Sequence, residues 1–282
     1  MSFDPGLTPG DVVSSEELNA IFDGQRQGGI RRSHSTNTLL VVSNHTTDKP
    51  FYDRWDESHE VFHYTAQGPE GDQSLDWNMN PVLLKADDLG LDVFLFEVFE
   101  PARYTYMGPV ELADAPYQEQ QADVNLNMRI AWVFPLQIKG GGSPTPVSEA
   151  SVRKAGDERE KQIRKRMSGK KLRDRAMSAP KTPSPRPVVG TQYERDGAVA
   201  EYVKERARGE CDLCGEGAPF ARRDGSPYLE AHHVKWIARG GDDSIENAVA
   251  LCPNCHAKMH VLDRAADVQH LKSVLGEYSR AE

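Results

Sequence analysis

The residues best suited to do chemistry in this chain lie between Cys211 and His260. All four cysteines fall there, as two C-x-x-C pairs, Cys211/Cys214 and Cys252/Cys255. Thiolates presented by two such knuckles close a tetrahedral site for structural zinc. The usual gap between knuckles is roughly 15–20 residues, and here it is about twice that. The extra length carries His232, His233 and Asn247, and His256 and His260 follow the second pair. The cysteines therefore read as a staple around a second site, one built from imidazole. LEAHHVKW (229–236) has the character of a strand end. Alternation along a strand sends neighbours to opposite faces, so His232 and His233 are expected to do different work. His256 and His260 are four apart on a predicted helix and hence share one face.

The order of these groups is a His-His pair, a Gly-Gly turn, an Asn, then C-P-x-C-H-x-x-x-H. It resembles the HNH (ββα-metal) nucleases, and colicin-type nuclease domains have closely similar spacing. The resemblance implies that His232, His256 and His260 hold one divalent metal. It further implies that His233 is the general base and that Asn247 orients the loop and that base. Phosphodiester hydrolysis needs an activated water on one side of the phosphate and charge stabilisation on the other. An imidazole with a pKa near 7 suits the first task and a metal ion the second. Three neutral histidines favour Mn, Ni, Co or Zn over Mg, unless cellular supply decides otherwise.

The formal net charge of −9 is unusual for a protein that binds nucleic acid. It is unevenly spread. Residues 153–186 carry 13 basic and 4 acidic side chains, whereas the chain on either side is acidic. A phosphate backbone senses local charge, so this stretch is expected to touch DNA, although a charge run standing alone is usually a solvated surface. No apolar run approaches the roughly 18–20 residues needed to span a bilayer. The N-terminus MSFDPGLTPGD lacks signal-peptide character. Four cysteines at metal spacing suit a reducing, cytoplasmic location better than a disulfide scaffold.

The elements ahead of the site can be read from the sequence pattern. Ser14-Ser15-Glu16-Glu17 has capping-box form and precedes Leu18, Ile21 and Phe22 at helical spacing, which predicts a short helix ending near Asp23. Thr38–Ser43, Val61–Tyr64, Val93–Phe99 and Ile130–Ile138 are β-branched or aromatic runs bounded by turn residues, hence strands. Pro135 marks the last of them as an edge or bulged strand. Loops rich in aromatic and polar residues (51–58, 63–77, 104–112) separate the strands, so an all-β barrel with functional loops is expected. Residues 139–192 change character: a KGGGSPTP break, a charged stretch polar on all sides, and SAPKTPSPRPVVG with four prolines. They read as an interdomain linker. Val199, Tyr202 and Val203 predict a helix leading into the first knuckle, and Leu262–Leu275 a terminal one.

The stretch VFHYTAQGPEGDQSL, preceded by TLLVVSNHT and followed by a W-x-F-P-L strand, resembles the SRA domain over roughly residues 10–138. The SRA domains of McrA-type restriction enzymes match better, through G-G-I-R-R-S, H-Y-T and G-D-Q-S-L. The resemblance implies an SRA-like (PUA-like) β-barrel that flips a modified cytosine into a pocket. The chain departs from the eukaryotic pattern at its Gly-Gly-Tyr-Glu-Asp-Asp stretch, where Asn44-His45 and FYDRW stand. A flipped pyrimidine needs an aromatic face, an acceptor for its exocyclic amine and apolar room at C5. Tyr64 is the expected stacking residue, Tyr52 or Trp55 the opposite face, and Asp53 the acceptor. Arg31 and Arg32 suit bidentate phosphate contact. Asp72 reads as a loop-fixing acid, and Tyr104 and Tyr106 as core or barrel rim.

The sequence thus predicts a multidomain α+β protein. A modified-cytosine reader occupies 1–140, a basic and Pro-rich linker 141–192, and a zinc-stapled HNH domain 193–282. The expected function is that of a cytoplasmic modification-dependent restriction endonuclease. It would recognise 5-methylcytosine or 5-hydroxymethylcytosine in double-stranded DNA and work as a homodimer without a membrane partner. Two rivals remain: an HNH nuclease of toxin or homing type, indifferent to modification, and a non-catalytic zinc-ribbon module. Binding alone gives no reason for the histidine set inside the staple.

Overall fold

The computed structural model describes residues 2–23, 27–48, 52–179, 186–191 and 195–281. The chain divides into two compact units, 1–190 and 191–282. The first begins with β1 (Val12–Ser14), α1 (Ser15–Phe22), β2 (Ile30–Ser33), β3 (Thr38–Asn44), β4 (Arg54–Trp55) and β5 (Val61–Thr65). There follow α2 (Asn80–Leu84), β6 (Asp92–Glu100), β7 (Arg103–Leu112), β8 (Tyr117–Ala122) and β9 (Met128–Ile138). It ends with β10 (Val147–Ser148), α3 (Glu149–Arg166), α4 (Gly169–Met177) and β11 (Val188–Val189).

One sheet runs in the order β2-β3-β6-β7-β9-β5-β4, with β1 joined to β7 and β8 to β9. Among the described residues, β3–β6 is the one parallel pair within it. Its middle strands are buried on both faces, as their unbroken apolar runs require. In β3, Leu39 and Val41 enter one cluster and Leu40 and Val42 the other. The first cluster also takes Ile30 from β2 and Trp55, Phe62 and Tyr64 from β4 and β5. Side chains from the two ends of the strand order thus meet, so the sheet curls around a common interior. The second cluster is covered by Leu18 and Phe22 of α1. The capping box holds that helix: the Ser14 hydroxyl accepts from the Glu17 N–H, and the Glu17 carboxylate accepts from the Ser14 N–H.

Two sequence expectations are corrected here. Pro135 does not mark an edge, because β9 pairs with β5 along one side and with both β8 and β7 along the other. Pairing to β8 stops at Val133 and pairing to β7 starts at Leu136. The missing N–H therefore falls where one neighbour hands over to the next.

The segment expected as a linker is built into the first unit. Ala155 is buried with Phe99 and Val147, docking α3 on β6. The Arg159 guanidinium donates twice to the His45 carbonyl, at 2.9 and 2.7 Å, and Arg166 pairs with Asp48 at 2.9 Å. Farther on, Arg186 grips the fully buried Glu97 at 2.9 and 2.6 Å, and His45 contacts the same carboxylate at 2.7 Å. β10 and β11 then pair in parallel, so the excursion closes on itself. Charge patterning alone misses this, because the partners lie far back in the chain. Residues 180–185 of the Pro-rich stretch lie outside the described residues.

The second unit comprises α5 (Gly197–Arg206), the hairpin β12 (Glu230–His233) and β13 (Ala248–Leu251), α6 (Pro253–Leu262) and α7 (Ala265–Ala281). Its core is small: chiefly Leu229, Val249, Leu251, Met259 and Leu271, with Cys211 and Cys252 among them.

Candidate metal centre and nucleotide pocket

The first knuckle turns at Gly215, whose N–H donates to the Cys211 carbonyl at 2.8 Å. The second opens α6, with Cys252 as N-cap and Pro253 at the first helical position, where its missing N–H does no harm. Asp212 ties the two together by accepting from the Ala250 N–H and the Tyr278 hydroxyl, each at 2.7 Å. All four Sγ atoms lie within 4.8 Å of one another. Burial and the adjacent thiols push the Cys255 thiol well up, so a cation is needed for all four to be thiolates together. The donor set fits structural zinc.

β12 and α6 bring His232, His256 and His260 to within 4.8 Å, counted between ring nitrogens. Nε2 of His232 is buried and has no hydrogen-bond partner. Burial, then the neighbouring imidazoles, pulls His232 down to about 4. It is therefore neutral at physiological pH, as a ligand must be. Nε2 of His256 and Nε2 of His260 face each other at 3.0 Å. An orphaned buried nitrogen beside two converging ones fits a divalent metal.

Two acids support this set, and sequence reasoning passed over both. Glu230 accepts from Nδ1 of His256 at 2.5 Å and from the Tyr228 hydroxyl at 3.0 Å. Fixing Nδ1 as the protonated nitrogen leaves Nε2 of His256 for a metal. Asp243 takes Nε2 of His233 at 2.7 Å and is itself held by the Asp196 N–H at 2.7 Å. That assigns the proton of His233 to Nε2 and its lone pair to Nδ1. Alternation along β12 would have revealed Glu230 as a same-face neighbour of His232. Asp243, in an ordinary GDD turn, left no such signal.

Asn247 pins the loop after β12. Its Oδ1 accepts from the Lys235 N–H at 2.8 Å, and its amide donates to the carbonyls of Lys235 and Asp242 at 2.9 and 2.8 Å. Asn247 thus pins both the loop that carries Asp243 and, through Val234 and Lys235, the strand end that carries His233. Gly241 is required there, since a Cβ would fall 1.9 Å from the Lys235 carbonyl oxygen. His232 and His233 line one small cavity despite their alternation, together with His256, His260, Trp236 and Arg195. Arg195 went unnoticed in the sequence.

In the first unit, a cavity of about 450 Å³ is lined by Tyr64, Thr65, Arg31, Asn44, Tyr104 and Trp77, among others. Of the expected pocket residues, the structure brings together Tyr64 and Arg31. A side chain at Gly29 would fall 2.3 Å from the Tyr64 hydroxyl, so the Gly-Gly pair makes room for that ring. Arg31 donates to the Gly28 carbonyl at 2.8 Å and lies over the Tyr104 ring.

The other four expectations are corrected. Trp55 is buried in the core, 5.0 Å from Phe62 between ring centroids, with its indole N–H toward Glu97. Tyr52 does not line the cavity; its hydroxyl accepts from the Ala122 N–H and donates to the Ser178 carbonyl. Asp53 is also off the cavity surface, where it accepts from the Thr65 N–H and the Ser43 hydroxyl, both at 2.8 Å. Burial outweighs those bonds and raises its pKa. Arg32 binds the Thr38 carbonyl and the Asn37 side chain, closing the β2–β3 turn instead of facing a phosphate. Asp72 fixes its loop as expected, accepting from the Ile130 N–H at 2.7 Å, and Tyr106 is core.

Comparison with known proteins follows the same division. Residues 9–155 match the model for the ScoMcrA-like SRA domain, and residues 211–261 match that for the HNH endonuclease. The type IV methyl-directed restriction enzyme EcoKMcrA of Escherichia coli K12 is 45% identical over 76 residues, covering 27% of each chain. The alignment thus spans about a quarter of that enzyme's length. Among solved structures, the phosphorothioation-dependent endonuclease ScoMcrA aligns at 17% identity and TM-score 0.38, over 95% of this chain and 63% of its own. The modification-dependent TagI endonuclease aligns at 19% and 0.33, over 92% and 80%. With the SRA model matched over more than half its length, this chain belongs to the ScoMcrA-like SRA domain family, and an HNH domain forms its C-terminal part.

Proposed function

We propose that this chain is a modification-dependent restriction endonuclease, in which the first unit extrudes 5-methylcytosine or 5-hydroxymethylcytosine and the second cuts the DNA. The observation that carries the cutting role is the convergence of three imidazoles around an orphaned, buried Nε2 of His232, with His233 alongside. A divalent metal on His232, His256 and His260 would stabilise charge on the scissile phosphate and leaving oxygen. His233, held by Asp243 through Nε2, takes the proton of the attacking water at Nδ1. Arg195, at the same cavity, offers a cation to the phosphate. Cys211, Cys214, Cys252 and Cys255 hold structural zinc.

In the reader, the base enters the cavity against Tyr64. Lys165, Lys171 and Arg173 on α3 and α4 make no ion pair among the described residues and are assigned to DNA phosphates. A one-site nuclease needs two copies to cut both strands, so the working form is a cytoplasmic homodimer. The test is digestion of matched DNA that is unmodified, 5-methylated, 5-hydroxymethylated or glucosylated, with wild type and His233→Ala. Cleavage restricted to modified DNA and lost in the variant is the expected result. Equal cutting of unmodified DNA would favour a toxin- or homing-type nuclease. No cutting of any substrate by metal-loaded protein would favour a binding module.

A further inference from the structure

The loop between β5 and α2 is fixed by buried amides to an unusual degree. Asn80 is fully buried; its Oδ1 accepts from the Gln67 N–H at 2.8 Å, and its amide donates to the carbonyls of Gln67 and Ser74, both at 2.9 Å. The Gln67 side chain returns the bond by accepting from the Asn78 amide at 2.8 Å. Gln73, also buried, donates to the Ala66 carbonyl at 2.6 Å and accepts from the Trp132 N–H at 2.9 Å. At the tip sits Trp77. Its backbone is used on both sides, N–H to the Ser74 carbonyl and carbonyl from the Asn80 N–H. Yet its side chain is 47% exposed at the edge of the cavity. A loop held this firmly has the contacts to order its tip, and it holds the largest apolar side chain outward.

We infer that Trp77 is a wedge: when the modified base leaves the duplex for the cavity, the indole stacks on the base pair next to the gap. This rests on the proposed reading of the first unit as a base-flipping reader. Of the aromatic side chains on this cavity, Tyr64 is buried and Tyr104 is engaged by Arg31, which leaves Trp77 to meet the DNA. Apolar side chains inserted at a base step offset the unstacking that extrusion demands. Trp77 is thereby a specificity-determining residue without touching the modification, since its contribution is realised only once a base has flipped.

The test uses the full chain and its Trp77→Ala and Trp77→Phe variants. Binding is measured to three matched duplexes: unmodified, 5-methylated, and 5-methylated with the modified cytosine mispaired. Trp77→Ala should bind the paired methylated duplex about ten-fold or more weakly, the loss of one aromatic stack. Trp77→Phe should recover part of this. On the mispaired duplex the loss should be about as large, because the same stacked complex forms, whereas on the unmodified duplex, where no base is held in the cavity, it should shrink to a few-fold or less. Thermal unfolding should be unchanged, because the removed ring is exposed. An equal loss on methylated and unmodified DNA, or none on either, overturns the wedge. Wild type that does not distinguish methylated from unmodified duplex overturns the reader itself, a separate result.

Discussion

Replacing Cys252 by Ser should unfold the second unit while leaving the first intact. Cys252 does three jobs there. It is one of four converging thiols, it caps α6 through its Sγ, and it is buried in the unit's core. That core has few large side chains, Leu229, Leu251, Met259 and Leu271 the chief ones. A unit of this size has a net stability of about 5–10 kcal/mol. Structural zinc in a thiolate site contributes about 10–16 kcal/mol of coupled folding energy. Losing the site therefore removes more than the unit has to lose. The readouts are zinc content by mass spectrometry and amide exchange along the chain. Wild type should hold zinc through dialysis, whereas Cys252→Ser should exchange rapidly over 196–281 and remain protected in β3, β6 and β9. A variant protected throughout, or wild-type protein with no retained zinc, would refute the staple.

Other perturbations follow from single contacts. Asp243→Asn frees His233 to adopt the wrong tautomer, and cleavage should fall roughly 10²–10⁴-fold with DNA affinity and metal content unchanged; a near wild-type rate removes the role given to Asp243. Glu230→Gln should weaken binding of the catalytic metal about 10–100-fold in calorimetry with Mn, while zinc content stays constant. Arg186→Ala strands Glu97 in the core and should cost about 3 kcal/mol, lowering the Tm of the first unit by about 6–12 °C. Burial alone would raise Glu97, but His45 and Arg186 overrule it and hold its pKa at about 2. The stabilisation is thus full above the ordinary carboxylate range, near pH 4.3, and disappears as pH falls toward 2; acid titration followed by circular dichroism should show the variant failing at higher pH. Lys171→Glu with Arg173→Glu should weaken binding to modified and unmodified DNA alike and flatten its salt dependence; an unchanged slope removes these helices from the DNA interface.

Much of the candidate metal centre was legible because metal ligation constrains residue type and spacing together. Two knuckles, a His pair and His256/His260 at helical spacing leave few ways to fold. The supporting acids were not legible, since Glu230 and Asp243 are common residue types whose partners only the fold reveals. In the first unit, the Y-T-x-x-G run pointed to Tyr64, and that residue lines the cavity. Residue type misled at Trp55 and Arg32, because an aromatic ring or a guanidinium suits an interior as well as a ligand. The excursion through α3 and α4 looked like a tether for a similar reason. Its anchors are Arg159, Arg166 and Arg186, which in sequence are three more charges in a basic run.

The amide network beneath Trp77 also bears on how the protein ages. Asparagine deamidates when the backbone nitrogen of the next residue attacks its side chain, and such residues are a weak point on long storage or heating. Asn80 is followed by Pro81, whose ring nitrogen carries no hydrogen and cannot close that intermediate. Asn80 is also shut away from water. The amide on which the loop depends is therefore the one chemically protected, whereas Asn78, exposed and followed by Met79, is not. Charge variants that accumulate in an old preparation should map to Asn78 and other surface positions; at Asn78 the bond to Gln67 would be lost, while the three Asn80 bonds persist.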